Sequence, residues 1–331
     1  MSDSSTTSVL RDNLTGIHND MWQAMRPPVV DALPFKELKS DVGEYNIINR
    51  EGGLLPREED IPSTIAGYED SFEDAKFEYG KGTMRTFVRL GKRVFFPDEF
   101  VRVMQGNNPD LDPILDAVKF NDGLAACRIV RDFQTVGNAL SATAVESGTL
   151  ALTTQTLDYG GILERIWEES DLAGQAIDTF VVGPQAARLM AGLNFFRREL
   201  GFAGGSASLR AGNDRPSRAD MWTELKAAHL AATGIRLVVD GTKRASISGG
   251  VNVGAYEFTT TGYFLCTENV SNATVVLAGD SRNGLGLIEY LTDRASLAAN
   301  KTPGQYSSWI GRWGFNRVVS NPGKKVTLTL A

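Results

Sequence analysis

Histidine and cysteine are scarce in this chain. Its 331 residues hold two of each: His18 and His229, Cys127 and Cys266. A zinc site would need all four to converge, from a spacing that matches no metal-ligand motif. Cys127 falls in a helical stretch and Cys266 ends an apolar strand-like run, so buried thiols are expected rather than a disulfide. Catalytic motifs are missing as well. There is no G-x-S-x-G elbow, no H-E-x-x-H and no dinucleotide fingerprint. Gly80-Lys81-Gly82-Thr83 lacks both the spacing and the strand-to-helix setting of a phosphate loop. Glu168 and Glu169 are adjacent on a predicted helix and face different ways, which reads as solvated surface rather than an acid–base pair. No catalytic residue, cofactor or metal is therefore expected.

Long apolar runs are also lacking. None approaches the roughly 18 residues that cross a bilayer. The start, MSDSSTTSVLRDN, has neither the basic nor the apolar region of a secretory signal. The expectation is a chain folded in a cytosol with no membrane partner, in which the sequons at Asn13 and Asn272 are chance matches. Basic excess is absent too. The formal charge of −6 argues against a protein that grips nucleic acid nonspecifically, though not against one that encloses it.

What is present is organised around Leu111 to Leu140, LDPILDAVKFNDGLAACRIVRDFQTVGNAL. Ile114, Val118, Ala125, Ile129, Phe133, Val136 and Leu140 share one helical face. The charged residues Asp116, Lys119, Asp122, Arg128, Arg131 and Asp132 take much of the rest. Asp112 is placed to cap the start, with Pro113 as the first helical residue. Such a helix would run roughly 40 Å, with Asn121-Asp122-Gly123 as a candidate kink.

Residues 1–9 are polar and read as a tail. Leu10, Leu14, Ile17, Met21 and Met25, with Trp22 beside them, follow at helical spacing up to a stop at Pro27-Pro28. That helix packs either on another molecule or on the chain's own core. Residues 45–97 have little helical periodicity. Glu58, Glu59 and Asp60 make one acidic cluster, and Glu69, Asp70, Glu73 and Asp74 another. Phe77 to Phe96 then reads as one or two strands whose charges, among them Lys81, Arg85 and Arg89, are mostly basic. A two-stranded ribbon is marginal alone in water, so cross-strand charge pairs or a neighbouring subunit would have to steady it. Residues 157–240 give helix, strand, helix, long loop, helix, strand. Asp158 caps the first helix, Pro184 opens the second and Gly234 stops the third. Residues 251–278 are rich in strands. The tail carries Trp309 and Trp313, a strand, the turn Asn321-Pro322-Gly323 and a last strand.

In this order the chain resembles the major capsid proteins of tailed phages with the Hong Kong 97-type fold. YNIINREGGLLPREEDI and KFEYGKGTMRTFVRLGKRVFFP resemble the extended loop, and Leu111 to Leu140 resembles the spine helix. LDYGGILERIWEESD with TFVVGPQAARLM resembles the opening of the axial domain, and WIGRWGFNRVVSNPGKKVTLTL the return to the peripheral domain. The resemblance implies an α+β fold with an N-terminal arm at 1–44, an extended β-ribbon loop at 45–97, a peripheral domain with the spine helix at 98–153, an axial domain at 154–285 and a peripheral return at 286–331. It implies a structural protein rather than an enzyme. Copies of the chain would self-assemble as hexamers and pentamers into an icosahedral shell in the host cytoplasm, and the virion capsid would enclose double-stranded DNA without binding it specifically. The family's further partners are scaffolding, portal and decoration proteins. With the arm so near the start, a separate scaffolding protein is implied if one is needed. Glu58, Glu59, Arg85, Arg89 and Trp22 are the expected intersubunit contacts. Some relatives cross-link through Lys and Asn, but no motif assigns that role to Lys76 or Lys81. The alternatives are a nanocompartment shell around cargo enzymes, which no residue here separates from a capsid, and a homo-oligomeric α/β enzyme. A tail or decoration protein would more often be all-β, which the long helix disfavours.

Overall fold

A computed structural model of the chain describes residues 20, 22–40, 42–48, 79–86, 90–95, 112–142, 149–150, 158–193, 218–248, 251–258, 260–270, 272–280, 286–291, 305–310, 312–317 and 323–330. Beyond a helical turn at 22–25, the described helices are α1 (Pro28–Ala32), α2 (Asp112–Gly137), α3 (Tyr159–Ala173), α4 (Pro184–Gly192) and α5 (Arg218–Thr233). The strands begin with β1 (Phe35–Glu37), β2 (Val42–Ile48), β3 (Tyr79–Arg85), β4 (Leu90–Phe95), β5 (Ser141–Ala142), β6 (Thr149–Leu150), β7 (Thr179–Val182) and β8 (Arg236–Val239). They continue with β9 (Lys243–Ser248), β10 (Val251–Tyr256), β11 (Thr261–Leu265), β12 (Val275–Gly279), β13 (Gly286–Leu291), β14 (Gln305–Ile310), β15 (Trp313–Arg317), β16 (Gly323–Thr327) and β17 (Thr329–Leu330).

Local chemistry sets the helix ends. The Asp158 carboxylate accepts the Gly161 amide at 3.0 Å and caps α3. Gly174, at φ 62°, closes α3 in the left-handed conformation that glycine adopts without a Cβ penalty. Pro184 occupies the first turn of α4, where no amide is needed. Gly234, at φ 71°, ends α5 with its amide on the Leu230 carbonyl at 2.8 Å. Pro27-Pro28 both ends the N-terminal helical turn and starts α1, with Pro28 in its first turn.

The long helix runs unbroken through Asn121-Asp122-Gly123, so the expected kink does not interrupt it. Its last turn has no basic residue of its own. Distant strands supply the cations: Arg317 donates to the Ala139 carbonyl at 2.8 Å and Lys325 to the Asn138 carbonyl at 3.3 Å. Ala125, Ile129, Phe133 and Leu140 are buried as the periodicity requires. Asp122, assigned to the charged side, is fully buried instead. It stands three, seven and eleven positions before Ala125, Ile129 and Phe133, which places it on the apolar stripe.

The central sheet has the order β5-β16-β11-β7-β8 and is mixed: β7 lies parallel to β8 and antiparallel to β11. Alternation along its strands creates two faces. Phe180, Val182, Leu237, Val239 and Phe264 bury against Ile162, Leu163 and Ile166 of α3, Met190 of α4 and Leu225 of α5. Phe180 and Phe264 stack with centroids 3.8 Å apart. Val181, Val238, Tyr263 and Leu265 belong to a second cluster with Ile129 and Phe133 of α2 and Val29 and Val30 of α1. A second sheet, β1-β12-β15, joins that cluster through Val275, Leu277, Trp313 and Phe315. Its opposite face, Val276 and Ala278, enters a small third cluster with Leu38 and Met84.

Phe77 to Phe96, read as one or two strands, holds two, and they part: β3 pairs with β2, whereas β4 pairs with β14, from Gln305↔Phe95 to Ile310↔Leu90.

Candidate functional site

The ribbon of β2 and β3 is the candidate assembly site. It is antiparallel, from Val42↔Arg85 at its root to Ile48↔Tyr79. Seven residues a strand give it a length of roughly 20 Å. Among the described residues no other strand pairs with either edge. Open edges of this kind are surfaces that a second chain can cover.

Three features hold the root. Met84 is fully buried in the third cluster against Leu38, Val276 and Ala278. The Asn316 side chain reads the main chain of Arg85: its Oδ1 accepts the amide at 2.8 Å and its Nδ2 donates to the carbonyl at 3.1 Å. Gly314 lies so close that a Cβ there would stand 2.2 Å from the Arg85 carbonyl oxygen, which only glycine permits. Further out, Lys81 and Glu44 make the expected kind of cross-strand charge pair at 3.1 Å. Both are largely in solvent, where such a pair contributes about 0–1 kcal/mol.

The residues singled out from the sequence divide sharply. Arg85 projects an exposed side chain at the ribbon root. Glu58, Glu59 and Arg89 lie outside the described residues. Trp22 is fully buried in this chain's own core, edge-on to Trp313 with centroids 5.8 Å apart, so its ring offers no surface to a neighbour. The alternative in which the N-terminal helical turn covers its own core is the one Trp22 follows.

Several polar arrangements escaped sequence reading. Glu257 is buried and receives two hydrogen bonds from Arg131, at 2.9 and 2.8 Å, with Arg244 at 3.5 Å. This ties α2 to the β9–β10 hairpin. Asp280 accepts Arg312 Nε at 2.8 Å and the Arg312 amide at 3.1 Å. His229 bridges α3 and α5. The Tyr159 hydroxyl lies 2.6 Å from Nε2 and the Ile235 carbonyl 2.7 Å from Nδ1. The carbonyl needs a proton on Nδ1, so the ring is the neutral Nδ1–H tautomer and Tyr159 donates to Nε2. Burial lowers the His229 pKa to about 4.

The remaining reactive groups of the described residues are held apart or buried. Both cysteines are free and buried, and burial pushes each thiol up to about 11. Glu169 pairs with Lys324 at 2.6 Å while Glu168 is exposed. Among the described residues no group of three His, Cys, Asp or Glu side chains is arranged to hold a metal, and no helix is long and apolar enough to cross a membrane.

No protein-family model and no curated protein matches the chain. Solved structures do. The capsid structure of the cyanophage P-SCSP1u is similar at a TM-score of 0.51 and 10% identity, over 91% of this chain and 87% of that one. The mature capsid of bacteriophage PhiM1 is similar at 0.50 and 11% identity, over 90% and 86%. The chain has the Hong Kong 97-type capsid fold. A phage-related protein of Bordetella bronchiseptica RB50 shares it at a TM-score of 0.50 and 12% identity, over 94% of this chain and 96% of that one. The likeness thus extends over 90–94% of this chain and 86–96% of those. The α+β architecture expected from the order of elements is the one observed.

Proposed function

We propose that this chain is a structural shell subunit. Many copies self-assemble, as hexamers and pentamers, into an icosahedral capsid that encloses the double-stranded DNA genome of a tailed phage. The observation that carries this reading is the capsid fold over nine-tenths of the chain. The ribbon supports it: an element with open edges and one anchored end suits contact with a second copy. The acidic balance supports it as well, since a shell that surrounds pumped DNA has no need to condense it. In this reading residues 1–44 are the arm, 45–97 the extended loop, 98–153 and 286–331 the peripheral domain and 154–285 the axial domain. The subunit is not an enzyme. It assembles in the host cytoplasm, resides in the virion and meets scaffolding, portal and decoration proteins there.

Glu58, Glu59, Arg85 and Arg89 act in this scheme through complementary charge that fixes the register of neighbours. Single exposed pairs are weak, but a closed shell repeats each one many times. An Arg85→Glu, Arg89→Glu variant should keep the wild-type circular dichroism and melting midpoint yet lose particles. Normal particles would remove these residues from the contact.

Negative-stain electron microscopy of the purified protein after size exclusion tests the function itself. Closed shells, or hexamer and pentamer rings, are expected. DNA inside particles from infected cells marks a phage capsid, whereas a co-purifying enzyme would mark a nanocompartment. A compact dimer or tetramer that never assembles at high concentration would overturn the shell reading.

A further inference from the structure

Strand β15 serves two tasks with its two faces. Trp313 and Phe315 enter the apolar core. The residues alternating with them, Gly314 and Asn316, meet the main chain of the ribbon at Arg85, and Arg312, just ahead of β15, meets the chain that leads into β2. Arg312 Nη2 donates to the Lys39 carbonyl at 3.3 Å, just ahead of β2. Asn316 binds both the amide and the carbonyl of Arg85, the last residue of β3, at 2.8 and 3.1 Å. Arg312 is itself oriented by Asp280, which accepts its Nε and its amide. The root of β3 and the chain entering β2 are therefore both held through the backbone from β15 and the residue before it.

A grip on main-chain atoms has a consequence that side-chain packing lacks. Met84 alone is a single apolar peg, and the hydrophobic effect that seats it has no direction. Hydrogen bonds are directional, and two at Arg85 with a third at Lys39, on the chain entering the opposite strand, define an axis. The close approach of Gly314 removes the remaining play on that side.

We propose that Arg312 and Asn316 form a two-point clamp that sets the direction in which the ribbon leaves the body, and so the angle at which one copy meets the next. This rests on the shell-subunit reading. Both are positioning residues: Asn316 touches the ribbon and Arg312 the chain that enters it, and in the shell reading the ribbon meets the second copy.

The test uses the full chain with the double variant Arg312→Gln, Asn316→Leu and the single variant Asn316→Asp. Asn316→Asp keeps an acceptor for the Arg85 amide but sets a carboxylate against the Arg85 carbonyl. Amide hydrogen exchange over residues 79–86 in the unassembled subunit reads the clamp, and particle shape by electron microscopy reads its consequence. The double variant should exchange about tenfold faster at Arg85, keep a melting midpoint near wild type, and give open or misshapen particles in place of closed ones. Asn316→Asp should fall between, and it decides the matter alone if the double variant does not fold. Unchanged exchange would overturn the clamp. Fast exchange with closed particles of wild-type diameter would overturn its role in assembly. If the wild-type chain forms no shells, the shell reading falls, and the exchange at Arg85 still decides whether the clamp exists.

Discussion

Strands β7, β8 and β11 bury side chains on both faces, Phe180 and Val182 towards α3 and α5, Val181 and Tyr263 towards α2. In the ribbon, Met84 is buried while Val42, Glu44, Lys81, Thr83 and Arg85 stand in solvent. At about 1.5–3 kcal/mol for each large apolar side chain taken from water, the central sheet carries its own stability. The ribbon borrows its stability from β12 and β15. Packing decides that the body folds; directional and steric contacts at Asn316 and Gly314 decide where the ribbon points. The proposed shell role would need both, because the body must survive alone and the projecting element must arrive at its neighbour in one orientation.

The largest expected effect comes from breaking the body. Phe133 is fully buried, with Tyr263, Phe315 and Phe258 at centroid distances of 5.3, 5.7 and 6.0 Å. Phe133→Ala should cost about 3–5 kcal/mol in urea unfolding and abolish particles through loss of the subunit.

Acid should act on the body next. His229 is held neutral with a pKa of about 4, against an ordinary value of 6.5. Between those values the unfolded chain binds a proton that the folded chain refuses. Stability from this site is thus complete above pH 6.5 and is lost as pH falls towards 4, by about 3 kcal/mol in total. Unfolding at pH 7 and pH 4 measures it, and His229→Gln should flatten that difference. An unchanged slope in His229→Gln would show that carboxylates alone set the acid limit.

Met84→Ala sharpens the contrast. If the ribbon is a borrower, its exchange should quicken while the melting midpoint of the body moves by no more than a few degrees. A cooperative loss of the whole fold would instead make the ribbon root part of the main core. The smallest effect belongs to the exposed pair on the ribbon. Lys81→Ala and Glu44→Ala should couple by less than about 1 kcal/mol in a double-mutant cycle, and high salt should erase even that.

Much of the chain was legible because its signals are local. Asp158, Pro184 and Gly234 mark helix ends through atoms only a few residues away. The stripe from Ala125 to Leu140 announces a long helix and its buried side. The candidate site was legible in part. Its strands are visible as extended runs and a cross-strand charge pair is expected, yet the pairing is not: β3 pairs with β2, and β4 departs to β14. Asn316 carried no signal at all, because it lies 231 positions from the backbone it holds.

By itself, then, the sequence determined the order and type of the elements, the apolar sides of the helices and the poverty of catalytic groups, since all of these follow from composition and short-range spacing. The tertiary structure decided which strands pair, that Trp22 turns inward to Trp313, that Asp122 is buried on the apolar stripe, and that β15 gives one face to the core and the other to the ribbon. Those outcomes depend on which distant surfaces meet. A side chain's own neighbours in sequence do not encode that, because alternation supplies two faces to every strand and only the packed chain assigns each face its partner.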